Sequence, residues 1–130
     1  MFSNNGNYEK DIVRFSGLPC DVSCTGENIV AVTLYDKHEV VFVDVITNTI
    51  THTIYIGHEC WGTDFNINRL AIRVVQPPTS SHIVYFDPKG KLIDRVNIPG
   101  WSSTSISLRV DTIKCTDWKT NTIYCYTLTG

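Results

Sequence analysis

The chain has 130 residues, of which 42% are apolar, and a formal net charge of −2. A slightly acidic chain of this length predicts one globular domain and argues against a strongly basic nucleic-acid surface. No apolar run approaches the roughly 20 residues that a membrane-spanning helix needs. The N-terminal residues also lack a charged and then apolar signal sequence, so we expect a cytoplasmic protein with no membrane partner.

The five cysteines do not form a recognisable metal or disulfide pattern, because none of them makes a C-x-x-C pair. Zinc ribbons and disulfide frameworks are therefore not expected. Cys115 and Cys125 are symmetric about residue 120, the predicted centre of a hairpin, so a cross-strand disulfide between them is conceivable. We favour free thiols, since buried cysteines pack well as small apolar residues and a cytoplasmic chain stays reduced.

Taken in order, the chain alternates short strands with polar turns, and no segment has sustained helical periodicity. Residues 1–7 are polar, and we predict that they are disordered. Residues 8–16 align with 48–56 by a shift of 40 residues and are therefore predicted to form the outer strand of a preceding blade. Three strand-rich units follow, at residues 20–57, 60–100 and 103–130, and the last unit lacks a fourth strand.

The three units repeat one pattern, with shifts of 40 and 43 residues. Val30, Leu70 and Ile113 fall together in this alignment, and Cys20 and Cys60 also repeat at a spacing of 40. A period of about 40 to 50 residues made of strands is typical of β-propeller blades. The predicted fold class is all-β, a partial β-propeller of about three four-stranded antiparallel blades.

Three blades are too few to close a ring, because propellers have about four to eight. The favoured interpretation is a piece of a longer, six-bladed domain. The alternative is a homodimer in which each chain donates residues 8–16 to the last blade of the other. In both cases an isolated chain would expose unpaired strand edges, which favour aggregation.

The last hairpin, residues 116–130, resembles the NHL repeat. In that family an aspartate opens the turn, as Asp117 does here, a polar residue such as Asn121 closes it, and an apolar strand ends at a glycine. The sequences of residues 29–33, 42–44 and 47–50 are similar to those of the C-terminal propellers of invertebrate tripartite-motif-like proteins. The resemblance implies a substrate-binding propeller of a ubiquitin ligase. It implies no ligase activity for this chain itself, which lacks a RING-type Cys/His array.

Propellers commonly use one face, formed by the loops between the fourth and first strands and between the second and third strands. Exposed aromatic side chains beside Lys and His on these loops can stack on a nucleobase or anchor a peptide. The candidate ligand-binding residues are Tyr35, Lys37, His38, His58, Trp101, Trp118 and Lys119. For the two tryptophans the alternative is a structural position wedged between blades.

No catalytic group can be assembled from the sequence, and no metal or other cofactor is expected. His58-Glu59-Cys60 has metal-capable side chains, but three adjacent residues cannot all face one ion. We therefore predict a non-catalytic module that binds a protein segment, with RNA as the second candidate. The alternatives are a hydrolase-like propeller with a metal in its channel, for which the inner strands offer Asp21 and Asp64, or a gene fragment without independent function.

Overall fold

A computed structural model describes residues 6, 10–66, 68–76, 80–99 and 105–128. Within these ranges all regular structure is β, and no helix that could cross a membrane is found. The eleven strands are β1 (Pro19–Cys24), β2 (Ile29–Leu34), β3 (Glu39–Asp44), β4 (Thr49–Tyr55), β5 (Glu59–Asn66), β6 (Arg69–Gln76), β7 (Ser80–Phe86), β8 (Leu92–Pro99), β9 (Ile106–Leu108), β10 (Thr112–Asp117) and β11 (Thr122–Thr127).

The strands form three antiparallel sheets, each connected in chain order. The first contains β1 to β4, the second β5 to β8, and the third β9 to β11. The inner strands β1, β5 and β9 contact one another in succession, as the innermost strands of neighbouring blades do. The predicted all-β partial propeller is therefore confirmed, with two four-stranded blades and a third blade of three described strands.

Burial explains why the strands differ in composition. β6 lies between two neighbouring blades, and its residues from Leu70 to Val75 are all buried. Strands buried on both faces are apolar almost throughout. β4 is an outer strand, and all its residues except Ile54 are exposed, which suits the Thr-rich alternation of its sequence.

Two apolar cores lie between the blades. One joins the first and second blades through side chains that include Val40, Phe42 and Leu70. The other joins the second and third blades through Ile83 and Ile113, among others. Because each blade buries one face on the next, the three sheets form one packed arc.

The outer face of the first blade is apolar and is partly covered by residues of the same chain. Val32, Leu34, Val41 and Val43 are buried there, with Ile12, Val13 and Phe15 packed against them. The predicted outer strand over residues 8–16 is not a strand between residues 10 and 16. This segment covers an apolar sheet face instead of pairing with a strand edge. Donation of residues 8–16 to a second copy stays a prediction.

The outer face of the third blade mixes polar and apolar side chains. Along β10, the residues that point toward the second blade are buried, whereas Lys114 and Thr116 between them are exposed. Their cross-strand partners on β11, Cys125 and Ile123, are exposed as well. The two ends of the arc therefore differ in chemistry.

The suggested cross-strand disulfide does not form. Cys115 pairs with Tyr124, and Cys125 pairs with Lys114, so the two cysteines are one residue out of register. Successive strand residues point to opposite faces. Cys115 is accordingly buried and Cys125 is exposed, and both thiols are free.

Candidate functional site

The turn between β2 and β3 is formed by residues 35–38 and closes with a left-handed residue, His38, at a φ of 59°. Asn121 has a φ of 55° at the corresponding place in the turn between β10 and β11. His and Asn adopt this conformation more readily than most other residues. His38 is therefore a turn residue through its backbone, whatever its imidazole binds.

Backbone hydrogen bonds join this turn to the other connections of the first blade. The N–H groups of Ile56 and Gly57 donate to the carbonyl oxygen of His38 at 2.8 and 3.2 Å. The N–H of Tyr35 donates to the Leu18 carbonyl at 3.0 Å. The two kinds of loop that were predicted to share a face are thus in direct contact. We call this end of the arc the loop face.

The loop face brings together several, but not all, of the predicted residues. Tyr35 and His38 lie on the joined turn, and His58 directly follows Gly57 on the connection that is bonded to it. Lys37 packs over Gly17, where an added Cβ atom would stand 2.6 Å from the Lys37 Cγ atom.

The other predicted residues belong to the third blade or lie beyond the described ranges. Trp118 and Lys119 are in the turn between β10 and β11. Asp117 opens that turn by accepting the N–H groups of Lys119 and Thr120 at 3.0 and 3.2 Å. The side chain of Trp118 is 59% exposed, so it is not wedged between blades. Trp101 lies outside the described residues.

The inner strands are irregular where they enter the loop face. The register of β1 on β2 shifts between Pro19 and Asp21. The register of β5 on β6 shifts between Cys60 and Thr63, so Trp61 and Gly62 lie in the irregularity. Bulges of this kind redirect side chains and are frequent beside functional sites.

The redirected Trp61 forms an aromatic pair with Tyr35 across the two blades. The ring centroids are 5.2 Å apart, and the rings meet edge to face at 81°. The backbone of Trp61 is held as well, because the Thr33 hydroxyl donates to its carbonyl oxygen at 2.7 Å. The aromatic pair is therefore positioned by both the first and second blades.

A cavity of about 350 Å³ opens beside this pair. All three blades contribute to its wall. The lining residues are Cys20, Asp21, Trp61, Gly62 and Ser105. We call this cavity the channel mouth, because it lies where the inner strands of the three blades meet.

The electrostatic field around the channel mouth is negative. The charge of Glu59 and its hydrogen bond to the phenol are the main causes that raise the pKa of Tyr35, with smaller effects from burial, Asp36 and Cys20. Burial and then the charge of Asp21 raise the pKa of the Cys20 thiol. Anionic neighbours favour the protonated forms of both groups, so the site favours positive charge.

The carboxylates that a channel metal would require have structural partners. Asp21 accepts the N–H of Thr63 at 2.9 Å, and Asp64 accepts the N–H of Leu108 at 2.6 Å. Each carboxylate thus ties one inner strand to the inner strand of the next blade. Among the residues that the structure describes, no group of three His, Cys, Asp or Glu side chains could hold a metal ion.

The sequence placed Glu59 on the loops of this face without making it a candidate ligand-binding residue, and it did not indicate Trp61. In a regular inner strand the side-chain direction of Trp61 would follow the alternation of its neighbours. The bulge changes that direction, and nothing local in the sequence marks it. The repeat of Cys20 at Cys60 was an available signal, because both lie at the irregular starts of inner strands.

The fold and site define a segment of a β-propeller with an aromatic and acidic mouth. No family model matches the sequence, and the search of curated proteins finds no match. Solved structures are similar in fold. The BamB protein of Moraxella catarrhalis has a TM-score of 0.65 at 10% identity, covering 82% of this chain and 30% of its own.

Two further solved structures give a similar result. The Cps50 (Swd1) β-propeller domain of Myceliophteria thermophila has a TM-score of 0.52 at 13% identity, covering 86% of this chain and 42% of its own. The glutaminyl cyclase of Myxococcus xanthus has a TM-score of 0.58 at 13% identity, over 75% and 43% of the two chains. At such identities the likeness concerns the fold alone. This chain spans less than half the length of each of these proteins.

Proposed function

We propose that this chain is a non-catalytic recognition module that binds a protein segment across the loop face. The observation that carries the proposal is the pair of Tyr35 and Trp61, held edge to face beside an open cavity at the junction of three blades. Aromatic side chains at the rim of a cavity are frequent anchors in protein recognition. Propeller scaffolds, which the structural neighbours share, present their loops as a rigid surface.

The charges of the loop face favour a protein partner over RNA. Its described connections carry Asp36, Glu39 and Glu59, against the two basic side chains of Lys37 and Lys119. RNA-binding surfaces need clustered positive charge to bind the phosphate backbone. An acidic face would repel that backbone, so RNA is the weaker candidate.

The turn chemistry supports assigning the blades to the NHL-repeat type. Asp117 opens the turn through backbone N–H groups, and Asn121 closes it with a left-handed φ of 55°. The sequence resemblance to tripartite-motif-like propellers extends this proposal to a substrate-binding role.

The test is selection of peptides on the purified chain, followed by affinity measurement with two matched variants. Tyr35→Ala removes the aromatic group of the loop face. Ile46→Ala removes an exposed apolar side chain from the turn between β3 and β4, at the opposite end of the strands. We expect Tyr35→Ala to weaken selected peptides by about tenfold or more, as for an anchor residue, and Ile46→Ala to leave them unchanged.

Two results would contradict the proposal. One is selected peptides that bind Tyr35→Ala as tightly as the unaltered chain. The other is tight binding of single-stranded RNA with a steep loss of affinity on raising salt from 50 to 200 mM, which phosphate contacts would cause.

A further inference from the structure

The channel mouth combines three features that suit one class of ligand group. Its wall contains an indole, a carboxylate and a residue without a side chain, contributed by Trp61, Asp21 and Gly62. We infer that this cavity binds the cationic side chain of an arginine or lysine within a basic peptide. The inference rests on the proposed function, because it names what the protein segment presents to the loop face.

The aromatic component suits a cation. An ammonium or guanidinium group over the face of an aromatic ring is attracted by the ring quadrupole, and tryptophan gives the strongest such attraction. Trp61 lines the cavity, and Tyr35 supports it edge to face with the ring centroids 5.2 Å apart. Gly62 beside it leaves space for a ligand to approach the backbone.

The carboxylate component is held in place and retains acceptor capacity. Asp21 accepts the N–H of Val22 on one oxygen and the N–H of Thr63 on the other, both at 2.9 Å. A carboxylate oxygen has two lone pairs, so each oxygen can accept a further hydrogen bond. Two hydrogen bonds from backbone N–H groups therefore hold the Asp21 carboxylate in place, and the carboxylate can still accept hydrogen bonds from a guanidinium or ammonium group.

The surroundings extend the negative field beyond Asp21. Glu59 is close enough to raise the pKa of Tyr35 both by its charge and by a hydrogen bond, and the charge of Asp36 acts in the same direction. Ser105 of the third blade adds a hydroxyl group to the wall. None of the five described residues that line the cavity is basic, so none of them places a positive charge in this position.

The experiment uses four acetylated and amidated pentapeptides of sequence Gly-Gly-X-Gly-Gly, in which X is arginine, citrulline, lysine or norleucine. Citrulline keeps the shape of arginine and removes its charge. Binding is followed by NMR on the indole N–H resonances, and Trp61→Phe assigns the resonance of Trp61. We expect the Trp61 resonance to shift with the arginine or lysine peptide, at an affinity about tenfold or more above that of the neutral counterpart.

Three charge-removing variants separate the roles of the carboxylates. Asp21→Asn and Glu59→Gln should each weaken the cationic peptide by about threefold or more. Glu27→Gln, in the exposed turn between β1 and β2 at the other end of the strands, should have no effect. Glu59→Gln keeps a group that can bond to Tyr35, so it tests charge even if Asp21→Asn disturbs the bond to Thr63.

The inference is overturned if the neutral peptides bind as tightly as the charged ones, if no peptide shifts the Trp61 resonance, or if Glu59→Gln has no effect. Those results leave the proposed function intact when selected uncharged peptides still depend on Tyr35. The proposed function fails separately when selected peptides are indifferent to Tyr35→Ala. A lysine peptide that equals the arginine peptide supports recognition of charge alone.

Discussion

His82 should make the fold sensitive to mild acid. This residue is in β7, is only 5% exposed, and lies between strands that pair it with Val74 and Asn97. Burial is the main cause that lowers its pKa from 6.5 to about 4, with smaller effects from the charges of Arg95, His58 and Arg73. The folded protein therefore resists protonation of a group that the unfolded chain protonates readily.

The direction and size of the effect follow from this difference. The pKa of His82 is lower in the folded protein than in the unfolded chain. The neutral imidazole therefore contributes its full stabilisation of the fold above pH 6.5, and this contribution is lost as the pH falls toward 4. With these two pKa values, the free energy of unfolding should decrease by about 2 kcal/mol between pH 7 and pH 5. Below pH 4 this contribution stops changing.

Urea unfolding followed by circular dichroism at pH 7 and pH 5 measures this loss. Between pH 7 and pH 5 the free energy of unfolding of His82→Gln should decrease by about 2 kcal/mol less than that of the unaltered chain, whatever the stability of the variant at pH 7. Arg95→Gln should reduce this loss of stability by a smaller amount, because the charge of Arg95 lowers the pKa of His82 less than burial does. Asp44, whose pKa is lowered by backbone hydrogen bonds from Thr47 and Ile46, is unchanged in both variants. An equal loss of stability in the unaltered chain and in His82→Gln would refute the reasoning.

Three further predictions concern stability and surface. Arg73 is fully buried and donates to the Ser81 hydroxyl at 2.7 Å, so Ser81→Ala, which removes this acceptor from a buried charged donor, should lower the free energy of unfolding by about 1 to 3 kcal/mol, whereas Ser107→Ala at an exposed position of β9 should change it by less than about 0.5 kcal/mol. At His38, with its φ of 59°, substitution by Val should cost about 1 to 2 kcal/mol more than substitution by Asn, because a β-branched residue is strained there; equal stabilities by urea unfolding would contradict this. Phe15→Ser should loosen the segment that covers the first blade and raise the fluorescence of an added apolar-surface dye, and an unchanged signal would show that the segment contributes little to the cover.

The blade architecture was predictable because it depends on short-range patterns. Strand alternation and turn residues recur at 40 and 43 residues, and this recurrence predicted the all-β partial propeller. Asp44 and Asp87 are a local feature of the same kind, since each accepts backbone N–H groups of its own turn. These interactions join residues within five positions of one another, so the local sequence suffices.

The site was less predictable because it depends on strand irregularities and inter-blade contacts. One extra residue in β5 decides where Trp61 points, and its partner Tyr35 comes from another blade. The same sensitivity explains the error on the cysteines. Asp117 pairs with Thr122, so the hairpin is centred between residues 119 and 120, and a symmetry about residue 120 is off by one.

The unlike ends of the arc have a consequence for crowded solutions. Open-ended fibres grow when a patch on one copy matches a different patch on the next. Here one end is a valine-rich surface under its own covering segment, and the other exposes Lys114 and Thr116 beside the apolar side chain of Ile123. Direct end-to-end contact between two copies would therefore first have to displace the segment that contains Ile12, Val13 and Phe15.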